Sequence, residues 1–392
     1  MKIRVQKSTL MEKLTLAMGT VSCRNTIAAI EGVLLETMDE TSIRVTTYDM
    51  NKGIRAMVRD VAIEVPGKKI VNAQRFYQTI RVMPDDEITI DAGDDGNCTV
   101  SCGKTAFSMS CMPGEDFPMM PDLLTERGFR ISSAILKSMI GKVAHSVAEV
   151  DTRPMLCGVF IKTDSNKLEV VSTDSFTLSL CKQDCEISAL GRENRTDFSF
   201  IIPNHAIAEL IKCLPDDEDE IIDLYLSRKH AILHAADVIF FTRTVDSEYI
   251  NYEKVIPQDN PIHLTVNRER LLSGLEMANV IAEEKVVGNG RSYLKIKLED
   301  RFLMMTSVSA NGKVYDEIDC THEGPDLEIG FNCRYLINSI RVAEGEELHV
   351  SMNKPTTPVI FEPAEPLEGR SFLYMILPVR MNDNDKKDKS GV

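Results

Sequence analysis

His230 and His234 stand four residues apart, the spacing at which two imidazoles on one face of a helix chelate a metal ion. Their setting, Lys229-His-Ala-Ile-Leu-His, alternates like a strand instead, and that pattern outweighs the metal reading. Asp216–Glu220 is a run of five carboxylates able to attract a divalent cation, but so dense a charge run reads as a solvated turn. Ten cysteines are scattered, the nearest pairs being Cys98/Cys102 and Cys181/Cys185, without a C-x-x-C. They read as free, buried thiols in a reducing cytoplasm. The opening MKIRVQKSTL reads as a strand entering a helix, with no apolar leader, and no apolar run is long enough to span a membrane. The phosphate-binding loop, the dinucleotide-binding glycine run, His-Glu-x-x-His and Gly-x-Ser-x-Gly are missing, so a hydrolase is the weakest reading. No catalytic group, metal or cofactor is expected.

The other chemistry on offer is charge. With 45 basic against 60 acidic residues the chain carries −15, which argues against binding nucleic acid by blanket phosphate neutralisation. Six predicted helices, at 8–18, 73–83, 133–145, 204–214, 267–279 and 332–342, reverse the balance, holding ten basic and four acidic residues. A surface shared by these helices would be friendlier to phosphate than the remainder. Arg75, Arg81, Lys137, Lys142, Lys212 and Arg341 are its candidate residues.

Those helices recur in a threefold repeat of about 130 residues. Blocks opening at Ile70, Ile202 and Phe331 each run from a short strand into an amphipathic helix. Phe76, Ile207 and Leu336 coincide without gaps, as do Ile80, Ile211 and Ile340. Alternating strands come next at Ile88–Ile90, Ile222–Leu224 and Leu348–Val350. An earlier unit repeats too, where Ile3–Val5, Phe129–Ile131 and Leu264–Val266 lead into helices carrying Leu10/Leu14, Leu136/Ile140 and Leu271/Leu275. The period exceeds that of solenoid repeats, so each copy is expected to be an α+β domain of two helices on antiparallel sheet. Turn-rich stretches place the domains at 1–124, 125–258 and 259–381, leaving 382–392 as a polar, disordered tail.

At Arg24-Asn-Thr-Ile27, Gly32–Leu35, Phe107–Met109, Asp116-Phe-Pro118, Ser172-Thr-Asp174, Val245-Asp246 and the ending Tyr374-Met-Ile-Leu-Pro-Val-Arg-Met381, residues 1–381 resemble the bacterial DNA polymerase III beta subunit, the sliding clamp. The resemblance implies a DNA clamp fold that closes as a head-to-tail homodimer, with helices around a channel and sheets outside. It implies a processivity factor without catalysis, put onto primed DNA by an ATP-driven clamp loader. Twelve helices spaced roughly 9–10 Å apart would enclose a hole about 25–28 Å wide, enough for a duplex to pass without being gripped. The rival is a repeat-built scaffold that binds proteins and never encircles DNA.

The resemblance also implies sites. A cleft for short hydrophobic peptides of the replicative polymerase, the loader, other polymerases and repair proteins would be walled by Arg153, Leu156, Thr173, Phe176, Leu178, Ile250, Lys254, Val255 and the closing Leu377, Pro378, Val379, Arg380 and Met381. Arg24 matches a DNA-contact residue of the family, and Gln74 and Arg75 lie where another basic residue is expected. Phe107 and Met109 of one chain would face Val280 and Ile281 of the other, core packing being the competing role. The chain departs from the family at Ser175-Phe176-Thr177, where Gly–aromatic–Arg is usual, at Ile250 in place of a common Pro, and at Asn204 and His205 where basic residues are expected.

Overall fold

The computed structural model describes residues 1–22, 27–192, 194–217, 219–282, 293–309 and 312–381. Among them the expected helices form as α1 (Lys7–Ala17), α2 (Ala73–Val82), α3 (Ser133–Val143), α4 (Asn204–Cys213), α5 (Arg268–Ala282) and α6 (Cys333–Val342). Each buries the stripe its spacing dictates: Leu10 and Leu14 on α1, Phe76 and Ile80 on α2, Leu336 and Ile340 on α6. Asn72 and Asn332 start α2 and α6 by accepting from the backbone N–H of Arg75 and Arg334, satisfying donors a helix leaves bare.

The order of elements is the same three times: one strand, a helix, five strands, a helix, three strands. Within each repeat the first strand pairs antiparallel with the fifth and seventh, as Lys2–Gln6, Arg127–Ser132 and Ile262–Asn267 all do. The second strand pairs with the third and the sixth in the first repeat's Gly32–Thr37 through its neighbours Ile43–Tyr48 and Lys68–Asn72, and its counterparts Gly158–Asp164 and Leu294–Glu299 pair the same way. His230 and His234 lie on the strand His230–Ala235, as their alternation requires.

The chain divides into two compact units. Met1–Lys137, Ile187–Asp197 and His205–Val245 carry a fourteen-stranded sheet. Its apolar clusters include Leu34, Tyr48, Ile70, Phe117, Ile232 and Phe241. Ser138–Glu186, Phe198–Asn204 and Asp246–Val392 carry a nine-stranded and a four-stranded sheet. There Val171, Leu178, Leu180, Tyr252, Ile360 and Met375 form one cluster, with Tyr249, Ile250 and Ile256 packed on it.

Repeats join through their strands. The fourth strand of the first repeat, Lys52–Val58, pairs with the ninth of the second, Val238–Arg243. The fourth strand of the second, Thr177–Asp184, pairs with the ninth of the third, Arg370–Ile376.

Candidate partner cleft, DNA surface and strand edges

Thr173-Asp-Ser-Phe-Thr177 connects two strands by a turn held from within. Asp174 Oδ1 accepts from the N–H groups of Phe176 (2.8 Å) and Thr177 (2.6 Å), and Thr173 Oγ1 donates to the Thr177 carbonyl (2.6 Å). The turn forces Ser175 to φ +76°, a left-handed conformation that costs a side chain about 1 kcal/mol. It also pushes Phe176 outward, 56% exposed, where its ring stacks 6.2 Å from that of Tyr335 on α6.

The closing segment crosses this turn. Leu377 N–H donates to the Phe176 carbonyl (2.8 Å) and Val379 N–H to the Gly330 carbonyl (2.8 Å). Gly330 lets the segment approach closely, since a Cβ there would stand 2.9 Å from Met381 Cγ and 3.2 Å from the Val379 carbonyl oxygen. Leu377, Pro378, Val379 and Met381 are half-buried and Arg380 is exposed. Leu156, Thr173 and Leu178 lie buried beneath, Leu178 at 1% exposure, while Val255 and Lys254 are exposed and Ile250 half-buried. The carried-over residues therefore split into a floor set in the core and a few apolar groups at the surface, chiefly Phe176 and Val255.

Arg153 stands at the rim. Its Nε and Nη2 donate to the two Asp151 carboxylate oxygens (3.0 and 2.9 Å), and Nη2 also donates to Ser175 Oγ (2.6 Å). These bonds from Arg153, with its backbone N–H (2.8 Å), hold the Asp151 carboxyl down to about 2. Val150, three residues earlier, is almost wholly exposed.

The candidate DNA residues differ in how free their charge is. Gln74, Arg75 and Arg81 project from α2 into solvent, and among the described residues neither arginine has an ion-pair partner. Lys212 is exposed and 3.8 Å from Glu209, and Arg341 is exposed and 2.8 Å from Glu276. Lys137 donates to the Leu214 carbonyl and to Asp216. Lys142 is only 11% exposed and bonds Glu344 at 2.7 Å, so its cation serves an internal pair with little left for phosphate. Arg24 falls outside the described residues.

Phe107 and Met109 share the ninth strand of the first repeat, Thr105–Pro113. Phe107 is 39% exposed, but Met109 is 5% exposed and belongs to its own chain's core, so only Phe107 offers apolar surface. On α5, Val280 is exposed and Ile281 half-buried. Sequence reasoning missed Lys313–Asp319, the fourth strand of the third repeat. Among the described residues it pairs on one side only, with Phe302–Val308. Thr105–Ser110 likewise pairs only with Asn97–Cys102. The counterparts of Lys313–Asp319 in the other two repeats each join a ninth strand, a pairing that the structure reveals.

No group of three or more metal-ligating side chains occurs among the described residues, and no described helix is long and apolar enough to cross a membrane. All the described cysteines are free, and burial pushes the Cys98 and Cys213 thiols up to about 12, far from a reactive thiolate.

Comparison with known proteins covers nearly the whole chain. The family models described as the DNA polymerase III beta subunit match in order, the N-terminal domain over 1–121, the central domain over 130–251 and the C-terminal domain over 253–380. Two curated relatives named beta sliding clamp, from Bacillus subtilis (strain 168) and Escherichia coli (strain K12), are 27% and 26% identical. Each alignment takes in 97% of this chain and all of the relative. The crystal structure of the DNA polymerase sliding clamp from Bacillus subtilis is similar with a TM-score of 0.87 at 26% identity, covering 97% of this chain and 100% of that one.

Proposed function

Because the chain belongs to the DNA polymerase III beta subunit family, the sliding clamps, we propose that two copies close head to tail into a ring around duplex DNA. The family is a non-catalytic accessory subunit, and the protein is a DNA replication processivity factor. One observation carries the proposed closure. The chain joins fourth strand to ninth strand twice and leaves one fourth strand, Lys313–Asp319, and one ninth strand, Thr105–Pro113, without that partner among the described residues. A second copy supplies both missing neighbours at once, which satisfies two open edges and exhausts them. Phe107 then meets the partner beside the α5 residues Val280 and Ile281.

In the ring, the six helices of each copy face the DNA, with Arg75 and Arg81 the least committed cations and Lys212 and Arg341 weakly held. A chain of net charge −15 stays on DNA by topology and slides because few phosphates are gripped. The cleft beside Phe176 and Leu377–Met381 takes hydrophobic segments of the replicative polymerase, the clamp loader, other polymerases and repair proteins. The compartment is the cytoplasm. The domains run 1–124, 125–258 and 259–381.

Loading onto nicked circular plasmid tests the ring. Retention should be stable on circles and lost when the plasmid is cut, with a solution mass of twice the chain. Equal retention on linear DNA with steep salt sensitivity, or a monomeric mass, would mean direct binding or a scaffold. Removing Leu377–Met381 should abolish binding of polymerase-derived peptide with the dimer intact, and unchanged affinity would discard the cleft.

A further inference from the structure

A guanidinium recognises a carboxylate best through two parallel N–H donors, and it has two such forks: Nε with Nη2, and Nη1 with Nη2. In Arg153 the first fork is filled by Asp151, at 3.0 and 2.9 Å. The second is broken by Ser175, whose Oγ takes the other Nη2 hydrogen at 2.6 Å. Among the described residues Nη1 alone remains uncommitted, and one nitrogen gives a single, swinging contact. The charge is matched as well, since Asp151 sits within the same pair.

Ser175 does this from an uncommon position. At φ +76° glycine is the natural occupant, and a side chain there is strained. The strained serine places its hydroxyl on a rim arginine of the cleft, next to the exposed Phe176 ring. An alanine or glycine would leave the turn standing, because Asp174 and Thr173 hold it through other atoms.

We propose that Ser175 is a specificity-determining residue of the partner cleft: by holding Arg153 on Asp151, it makes the cleft accept segments that are neutral beside the Arg153 rim and gain nothing from an acidic residue there. This rests on the reading of Phe176 and Leu377–Met381 as a peptide cleft. Selection then falls to apolar side chains meeting Phe176 and Val255, with the rim arginine acting as a spacer.

The test measures affinity of the full-length protein by fluorescence anisotropy. Its probe is a labelled peptide of leucine and phenylalanine in a glutamine background, with variants in which each glutamine in turn becomes glutamate. In the native protein the preference for each glutamate variant should match that of Arg153→Ala within about twofold, whatever the exposed Lys254 and Arg380 contribute. In Ser175→Gly and Ser175→Ala, one glutamate position should gain about fivefold or more, because the Nη1–Nη2 fork is released. The gain should shrink as salt rises. A native preference for glutamate that Arg153→Ala abolishes, or Ser175 variants with no altered preference, would overturn the proposal. A change in Ser175→Gly absent from Ser175→Ala would also overturn it, since backbone relief and not the hydroxyl would be responsible. Failure of the parent peptide to bind, with Leu377–Met381 removal making no difference, would instead remove the cleft and the proposal together.

Discussion

Strands Thr177–Asp184 and Lys313–Asp319 hold the same rank in successive repeats, yet among the described residues one is paired along both edges and the other along one. The paired strand buries Leu178, Leu180 and Cys181, and its neighbour Arg370–Ile376 buries Phe372, Tyr374, Met375 and Ile376. The open strand buries only Ile318 and exposes Tyr315 at 57%. The two differ less in backbone than in what lies beside them: the third repeat supplies the ninth strand that covers Thr177–Asp184, and among the described residues no strand covers the outer edge of Lys313–Asp319. In the proposed ring one geometry would serve as tertiary structure at the first strand and as assembly surface at the second. Open edges ordinarily invite aggregation, and here Asp316, Glu317 and Asp319 crowd the edge with charge.

The comparison breaks most sharply at Tyr374, which has no exposed surface. Tyr374→Ala should cost about 4 kcal/mol in chemical denaturation, independent of protein concentration. A loss that vanished at high concentration would place that junction in the same class as the open edge. Acid acts on the same sealed side. His145 Nε2 lies 3.2 Å from Ser179 Oγ and 3.1 Å from Ser339 Oγ, and its Nδ1 is buried without a partner among the described residues. Burial holds the imidazole at about 4 against 6.5 for the free group. Protons therefore bind preferentially to the unfolded chain, and stability falls as pH drops from 6.5 towards 4, by up to about 3 kcal/mol. His145→Gln should flatten that part of the stability–pH curve, and an unchanged slope would refute the assignment.

The open edge should respond differently. Phe107→Asp should raise the dimer dissociation constant about 30-fold in sedimentation, with the denaturation of the single chain unaltered. Loss of single-chain stability instead would return Phe107 to the core. The smallest effect belongs to a surface that touches neither strand. Replacing Arg75 and Arg81 together by alanine should lower the salt slope of DNA association by at most about 2, with dimer and melting unaffected. A larger slope change would mean that these two cations grip DNA tightly.

Much of this was legible in the amino-acid order, since the six helix windows fall within three residues of the observed ends and the alternating stretches became strands. Local period is enough for that, because a buried stripe needs no knowledge of its cover. The same logic failed to rank charges. Lys142 and Arg75 look alike in sequence, but Glu344, two hundred residues away, occupies only the former. Met109 entered the interface only through the resemblance: it shares a strand face with Phe107, and spacing does not say how far along the strand that face is covered. The open edge was invisible for a deeper reason: a missing neighbour is a property of the whole sheet, and no residue in Lys313–Asp319 encodes it.

A contact between unlike surfaces has no inherent stopping point, and copies added through the Lys313–Asp319 edge would propagate as a fibre unless the chain bends back on itself. For two copies to finish the circuit, six repeats must share a full revolution, about 60° apiece. In the proposed ring, the curvature at the junctions Lys52–Val58 with Val238–Arg243 and Thr177–Asp184 with Arg370–Ile376 would contribute to how many subunits close the band. A core substitution that straightened either junction by a few degrees would change stoichiometry without touching the surface through which the copies meet.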